Sequence, residues 1–265
     1  MKNRHAVITT LAELQQEWNL LLIAISYFVS AVMETQKKDM ISALEAARVA
    51  SDRSLLLLDL HLKRFVLHLP ALDNQLAINP IRMDDPDNLK SLHRLYHPKD
   101  HLINMETDIL FLNMLHTLPE HEGERLQMNC LRRIQNNQKG YDLYLIRIVV
   151  LKYDMAGNPW LVKIELERMT QFMPKEFYHQ RTAVLIGSDA KDSVTLLDVQ
   201  NPNALTEDEL NVLKQAVCKK SVEETAAALN KKKDTVKKIR ARVMQKLNAP
   251  TMELACQMAK MLKIV

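Results

Sequence analysis

Two helix-start signals lie close together in the C-terminal quarter of this chain. Thr206 is followed three residues later by Glu209, and Ser221 is followed at the same spacing by Glu224. In such a capping box each side chain accepts a hydrogen bond from the other residue's backbone N–H, which sets where a helix begins. The two boxes therefore predict a first helix of about three turns and a second helix close behind it.

The next helical stretch has one apolar face and one basic face. Four apolar residues share the first face at helical spacing: Val236, Ile239, Val243 and Leu247. The stretch from Lys231 to Lys246 holds eight basic residues and one acidic residue, Asp234. A helix with this basic face can enter the major groove and neutralise phosphates. A solvated helix rich in lysine is the plain alternative.

Charge separates this segment from the rest of the 265-residue chain. Leu205 to Val265 has thirteen Lys or Arg and seven Asp or Glu, a net charge of +6, whereas the remaining residues carry −2. A basic module on a near-neutral body favours a nucleic-acid or anionic-membrane partner for the basic part.

The same segment resembles the DNA-binding domain of LuxR-type (GerE-like) transcriptional regulators. The resemblance rests on Leu205-Thr206, Glu209, Val212-Leu213, Ser221, Glu224, Ala226, Leu229, Thr235-Val236, Lys246-Leu247 and Glu253-Leu254-Ala255. It implies a four-helix helix-turn-helix domain whose third helix reads the major groove of double-stranded DNA. By matching position, the implied DNA-binding residues are Lys233, Thr235, Lys237, Lys238, Ala241, Arg242 and Gln245. The fourth helix is implied to pair across a homodimer through Met252 and Ala255.

Three positions depart from the family pattern. Lys219 stands where the family has a glycine between the first two helices, Thr225 replaces an isoleucine, and Ile239 replaces a frequent histidine. Because a glycine permits backbone conformations that other residues avoid, Lys219 predicts an altered turn.

The N-terminal segment, residues 1–52, has a heptad-like apolar seam. Its members are Leu11, Leu14, Trp18, Leu21, Ile25, Phe28 and Val32. This spacing predicts one long helix and is typical of a helix-pair interface. Leu14, Trp18, Leu21, Ile25 and Phe28 are the predicted dimerisation residues. An ordinary core helix of a monomer remains open. The apolar stretch Leu20–Met33 is short for a membrane span, so no membrane partner is expected.

Residues 53–200 change to strand patterns. Predicted strands are Ser54–Leu60, Arg64–Leu69, Tyr141–Tyr153, Asn158–Met169, Arg181–Gly187 and Ser193–Val199, with mostly helical sequence from Asn88 to about Gln138. We expect an antiparallel sheet of five or six strands with helices on one face. The order of elements, with Leu57-Leu58-Asp59, His97-Pro98-Lys99-Asp100 and Asp154-x-x-Gly157, resembles a PAS-type sensory domain, which implies ligand binding or dimerisation and signal relay.

Several other classes of protein are excluded or disfavoured. The four glycines form no phosphate-binding loop, and the three cysteines form no C-x-x-C pair. His93, His97 and His101 lie four residues apart, but Pro98 predicts that a helix begins just after His97, so no metal site is expected. We find no receiver-domain acidic pair and no catalytic constellation, and therefore predict that the chain is not an enzyme.

The predicted fold class is α+β: a PAS-like antiparallel sheet with helices, preceded by a long N-terminal helix and followed by an all-α four-helix helix-turn-helix domain at residues 201–265. The predicted function is sequence-specific DNA-binding regulation of transcription by a cytoplasmic homodimer. RNA polymerase is a candidate partner. No cofactor is expected, and a small-molecule ligand of the PAS-like domain stays open. The alternative is an interaction module whose basic C-terminal domain binds an acidic protein.

Overall fold

A computed structural model describes most of the chain as two compact units. The described residues are 10–47, 52–71, 85, 88–169, 181–185, 193–196, 205–247, 249–261 and 264–265. The first unit spans Met1–Glu124 and Arg132–Met169, and the second spans Arg125–Leu131 and Thr170–Val265. The predicted domain boundary and linker near residue 200 lie outside the described residues.

The N-terminal segment forms two helices rather than the single long helix that the apolar seam predicted. Helix α1 spans Leu11–Ala24 and α2 spans Ala31–Ala46. Thr10 and Glu13 form a capping box at the start of α1, and the Ser30 hydroxyl accepts a hydrogen bond from Met33 at the start of α2. The heptad pattern is therefore interrupted at the six residues between the helices.

The break between α1 and α2 is stabilised by hydrogen bonds to the turn at residues 154–158. A carboxylate oxygen of Asp154 accepts the backbone N–H of Phe28 at 2.8 Å, and the Met155 N–H donates to the Phe28 carbonyl at 3.2 Å. Asp154 also accepts the N–H groups of Ala156 and Asn158. Backbone groups in the predicted helix are thus bonded to another part of the chain, which explains why the helix ends at Ala24.

The sheet of the first unit is antiparallel and has the order β2-β1-β5-β4-β3. Strand bounds are β1 Arg53–Asp59, β2 Arg64–Leu69, β3 Leu126–Gln135, β4 Tyr141–Tyr153 and β5 Pro159–Arg168. In the β4–β5 turn Gly157 has φ +78°, a left-handed conformation that glycine adopts without steric cost. The predicted α+β class is confirmed, and the order of two strands, helices and three further strands is the predicted one.

Helices cover both faces of this sheet, not the single face that was expected. On one face α2 packs on an apolar cluster of Leu57, Leu67, Trp160 and Leu161. At its edge Lys37 of α2 donates to Asp59 at 2.8 Å, and the Trp160 indole N–H donates to the same carboxylate at 3.2 Å. On the other face α1 packs against α4. Because both faces are covered, β1 can be apolar at consecutive positions, as Leu55 to Leu58 are.

The connection between β2 and β3 is helical, as predicted, but it ends earlier. It holds α3 (Asn88–Arg94), a 3-10 turn (Pro98–Asp100), α4 (His101–Thr117) and the one-turn α5 (Glu120–Gly123). The helix start after His97 is confirmed, since the His97 ring nitrogen accepts the Lys99 N–H at 3.2 Å.

The helical prediction up to Gln138 was wrong because β3 occupies Leu126–Gln135. Its sequence contains Asn129, Arg132 and Arg133 at positions where a strand normally carries apolar residues. Arg132 is nonetheless 2% exposed, because Asp108 of α4 pairs with its guanidinium. A partner distant in sequence therefore makes a buried arginine tolerable, and no local pattern reveals it.

In the second unit the first half of β3 pairs with β6 (Arg181–Leu185), and β6 pairs with β7 (Ser193–Leu196), both antiparallel. With β6 and β7 the described strands number seven, and the five strands of the first unit agree with the five or six expected. Four helices follow: α6 Glu207–Val217, α7 Val222–Ala228, α8 Lys233–Lys246 and α9 Met252–Met261. Both predicted capping boxes are present, at Thr206 with Glu209 and at Ser221 with Glu224.

Candidate nucleic-acid interface

Helix α8 presents the surface that the sequence analysis assigned to DNA. Its apolar stripe is enclosed by the domain: Val236, Ile239, Val243 and Leu247 are each at most 1% exposed. The predicted DNA contacts are all solvent-exposed: Lys233, Thr235, Lys237, Lys238, Ala241, Arg242 and Gln245. The predicted division of this helix into an apolar and a basic face is confirmed.

Two lysines on this face form exposed ion pairs. Lys237 Nζ lies 3.9 Å from Asp234 Oδ1, and Lys233 Nζ lies 3.2 Å from Glu223 Oε1. Exposed pairs of this kind contribute little to stability. Their lysines can therefore exchange these carboxylates for phosphate oxygens at small cost.

Helix α8 is tied to the start of α7 through one arginine. Arg240 Nη2 donates to the Lys220 carbonyl at 2.7 Å and lies 3.4 Å from the Thr225 hydroxyl. That hydroxyl itself donates to the Ser221 carbonyl at 2.7 Å. These bonds join α8 to the preceding helix and so set the angle at which its basic face projects.

Glu209 links the start of α6 to the end of α8. It is 2% exposed, and its carboxylate accepts hydrogen bonds from Lys246 Nζ at 2.7 Å and from the Thr206 N–H at 2.8 Å. Burial opposes ionisation, but these donors outweigh it and hold the pKa of Glu209 below its ordinary value. Glu209 is therefore a buried carboxylate that stays charged.

The comparison with protein families decides what this domain is. A family model described as GerE, bacterial regulatory proteins of the luxR family, matches residues 203–259. These residues form a LuxR-family domain. Such domains bind DNA in regulators of transcription, so the coarse function of the C-terminal part is DNA-binding regulation.

Two solved structures resemble the chain distantly along most of its length. The phage VqmA–DPO complex is 12% identical, covers 86% of this chain and 89% of its own, and has a TM-score of 0.30. The Vibrio cholerae VqmA dimer without target DNA is 12% identical, with coverage of 83% and 85% and a TM-score of 0.31. At such scores neither ligand nor assembly transfers to this chain. Among curated proteins, no relative matches the sequence.

The LuxR-family domain keeps the turn at Lys219 despite the missing glycine. Lys219 has φ +60°, its N–H donates to the Ala216 carbonyl at 2.8 Å, and the Lys220 N–H donates to Gln215 at 3.1 Å. This pair of bonds is a Schellman motif, which ordinarily places glycine at the left-handed position. The expected alteration of the turn does not occur, and Lys219 adopts the strained conformation instead.

The predicted dimerisation residues are exposed to different degrees. Leu14 and Trp18 are buried against their own domain, as is Ala255 in the LuxR-family domain. Leu21, Ile25 and Met252 are half-buried, and Phe28 is 60% exposed. On α1 the third buried residue is Leu22, so the enclosed stripe is displaced by one residue from the predicted seam. Ile25 and Phe28 lie after the end of α1.

The three histidines do not converge. His93 lies between the rings of Trp18 and Tyr96, His97 begins the 3-10 turn, and His101 Nε2 lies 2.8 Å from the Tyr96 carbonyl. Burial lowers the pKa of His93. Within the described part of the chain, no group of three or more His, Cys, Asp or Glu side chains is placed to hold a metal ion.

No described helix combines the length and apolar character needed to cross a bilayer.

Sequence reasoning missed a buried polar cluster in the first unit. Arg132 of β3 pairs with Asp108 of α4, donates to the Tyr96 hydroxyl at 2.8 Å and stacks 5.0 Å from the Tyr96 ring centre. The space that these residues close, between the sheet and the helices, measures about 50 Å³. The signal in the sequence was the presence of the polar residues Asn129, Arg132 and Arg133, which are typical of a surface.

Proposed function

We propose that this chain regulates transcription as a cytoplasmic homodimer that recognises a specific DNA sequence through α8. The observation that carries the proposal is the exposed face of α8, where all seven predicted contacts lie opposite a fully buried apolar stripe. A face of this kind offers lysines for phosphates and mixed side chains for base edges. The chain acts by binding rather than by catalysis.

The roles of the seven residues follow from the resemblance to the family. Lys237, Lys238 and Ala241 contact bases, and Thr235 and Lys233 contact phosphates. Ala241 offers a small apolar surface that suits the methyl group of thymine. Arg242 and Gln245 extend the same face one turn further along α8.

Dimerisation supplies the second recognition helix. Phe28 is the most exposed of the predicted dimer residues in the N-terminal segment, and Leu20, Ile23 and Val32 nearby are each more than half exposed. Large apolar side chains clustered in solvent are typical of interaction surfaces. Two recognition helices held by one dimer read half-sites related by two-fold symmetry. The PAS-like domain senses a signal or sets this dimer geometry, and a ligand that binds one geometry better shifts operator affinity.

Selection of binding sites from random duplex DNA with the full-length protein tests the proposal. Enrichment of a two-fold symmetric sequence at physiological salt is the expected result. The double variant Lys237→Ala/Lys238→Ala should lose that preference, whereas Lys214→Ala/Lys260→Ala removes the same charge from exposed positions on α6 and α9 and should retain it.

Recovery of no sequence by the wild-type protein, with binding that disappears as salt rises, contradicts sequence-specific regulation. The alternative, an acidic protein partner for the basic domain, drew its support from Lys219 and Thr225. Lys219 keeps the turn, and Thr225 is buried with its hydroxyl bonded to Ser221. No specific observation now favours that alternative.

A further inference from the structure

The first unit contains an open cavity to which no role has been assigned. It measures about 590 Å³ and lies between α1 on one side and α3 and α4 on the other, beside the β1–β2 turn. Cavities of a few hundred Å³ typically hold one small molecule. The space enclosed between the sheet and the helices, at about 50 Å³, has room for water only. Of these two spaces in the first unit, the larger one is therefore beneath α1, outside the sheet core.

The sheet core is closed by the buried pair of Asp108 and Arg132. The Arg132 side chain is 1% exposed and the Asp108 side chain 10%. Asp108 of this pair also lines the cavity beneath α1, together with Tyr96.

The deep walls of the cavity are apolar. Trp18 and Leu22 contribute one wall from α1, and Leu89 and Met105 contribute the other from α3 and α4. All four side chains are buried, each at 9% exposure or less. The walls therefore suit an apolar body rather than a sugar or a peptide backbone.

The rim of the cavity is cationic. Lys63, Lys90 and Arg94 line it and are half-buried to exposed, nearer to solvent than the apolar walls. Among the lining residues that the structure describes, the one acidic side chain is Asp108, whose carboxylate is engaged by Arg132. The cationic side chains of Lys63 and Arg94 at this rim make a field that favours an anionic group there.

We propose that this cavity binds an amphiphilic anion: a medium-sized apolar chain or ring carrying one carboxylate or phosphate group. The apolar body lies against Trp18 and Leu22, and the anionic group lies at Lys63 and Arg94. This assigns a ligand class and a site to the sensing role, and in that respect rests on the proposed function. Because α1 forms one wall, an occupied cavity also restrains α1.

The two tryptophans of the chain make the cavity directly measurable. Trp18 lines the cavity, whereas Trp160 is buried on the face of the sheet covered by α2. Decanoate titrated into the full-length protein should change the fluorescence in a saturable way. The change should persist in Trp160→Phe and disappear in Trp18→Phe. Calorimetric titration of the wild-type protein provides a second measurement that does not depend on either variant.

Head-group selectivity tests the charge argument. Decanoate and decyl phosphate should bind, with decanol weaker and decyltrimethylammonium weakest. Lys63→Gln/Arg94→Gln should weaken decanoate binding about fivefold to tenfold, in proportion to two lost exposed charge contacts, and leave decanol unchanged. The matched control Lys38→Gln/Lys152→Gln removes the same charge from exposed positions outside the cavity and should bind decanoate as the wild type does.

Two results overturn the proposal: no heat and no Trp18-dependent signal with either anion, or decanol and the cation binding as tightly as decanoate. DNA binding is measured separately on the same preparation. If the protein selects a DNA sequence but binds neither anion, only the ligand proposal is contradicted. If it binds decanoate but no DNA, only the proposed function is contradicted.

Discussion

Lys219 occupies a backbone position where a side chain is costly. At φ +60° the Cβ atom of a non-glycine residue approaches the backbone, and such a residue costs about 1 to 2 kcal/mol. Asn230, with φ +50°, occupies the equivalent position after α7, where its N–H donates to Ala227. Asparagine tolerates this conformation better than lysine. The two helix ends thus differ in strain although their hydrogen bonds match.

Lys219→Gly should therefore stabilise the LuxR-family domain by about 0.5 to 1 kcal/mol, since relief of strain exceeds the entropy that glycine adds to the unfolded chain. Urea denaturation of the full-length protein measures the change. Asn230→Gly should raise the free energy of unfolding by a smaller amount. Lys214→Gly, within α6, should lower the free energy of unfolding by about 1 kcal/mol. Equal stability of Lys219→Gly and wild type would contradict the strained turn.

Glu209 makes the stability of the same domain depend on acidity. Hydrogen bonds from Lys246 and Thr206 outweigh burial and keep its pKa below the ordinary value of 4.5. A depressed pKa in the folded state contributes stability that is present above pH 4.5 and is lost as the pH falls through the folded value. The sign follows because the unfolded chain takes up the proton first.

We expect wild type to lose stability on acidification below about pH 4.5 more steeply than Glu209→Gln, and to be the more stable of the two at pH 7. Unfolding transitions recorded from pH 3 to 7 provide the comparison. Glu207→Gln, at an exposed position in the same helix turn, should follow the wild-type profile. If the stability of wild type and of Glu209→Gln changed with pH in the same way, Glu209 would not be the cause of the acid sensitivity.

At the scale of elements, β3 and α4 are joined by charge rather than by apolar contact alone. Arg132 and Asp108 pair in the interior, and Arg133 pairs with Asp100 nearer the surface at the start of α4. Side chains of successive residues in a strand point to opposite faces. The strand therefore presents one arginine to the core and the next to the rim, each with its own aspartate.

Removing one member of the buried pair should destabilise the protein more than removing both. Arg132→Met leaves Asp108 charged and buried without its partner, and should cost about 3 to 5 kcal/mol. Asp108→Leu/Arg132→Met replaces both groups with apolar ones and should recover most of that loss. Chemical denaturation of the three proteins measures it. A double variant no more stable than Arg132→Met would argue against the pair as the cause.

At the scale of the whole molecule, charge is concentrated where the partner is expected. Residues 205–265 carry a net charge of +6, while the remainder carries −2. Each phosphate contact releases a counterion from DNA, so affinity falls with salt in proportion to the number of contacts. The basic domain therefore sets both the strength and the salt dependence of binding by the full-length protein.

Lysines that contact phosphate and lysines that contact bases are separable by this salt dependence. Lys233→Ala should weaken binding to all DNA sequences alike and reduce the slope of log K against log salt by about 1. Lys237→Ala and Lys238→Ala should change sequence preference instead. Titrations of labelled duplexes at several salt concentrations distinguish these results. An unchanged slope for Lys233→Ala would mean that this lysine does not contact a phosphate.

The sequence by itself determined the features that depend on neighbouring residues. Capping boxes, the two faces of α8 and the β4–β5 turn each arise from contacts within a few positions, so residue type and spacing were enough. The bounds of β2 and β4 were predicted to the residue for the same reason. The candidate DNA interface was predictable because it lies on one such helix.

Only the tertiary structure decided the features that join distant residues. Asp154 ends α1 by bonding Phe28, Asp108 makes Arg132 tolerable in β3, and the cavity beneath α1 exists only where α1 meets α3 and α4. In each case the free energy of a local segment is altered by a partner many residues away. A hydrogen bond or an ion pair in the interior outweighs local propensity, and the sequence of the segment alone does not show it.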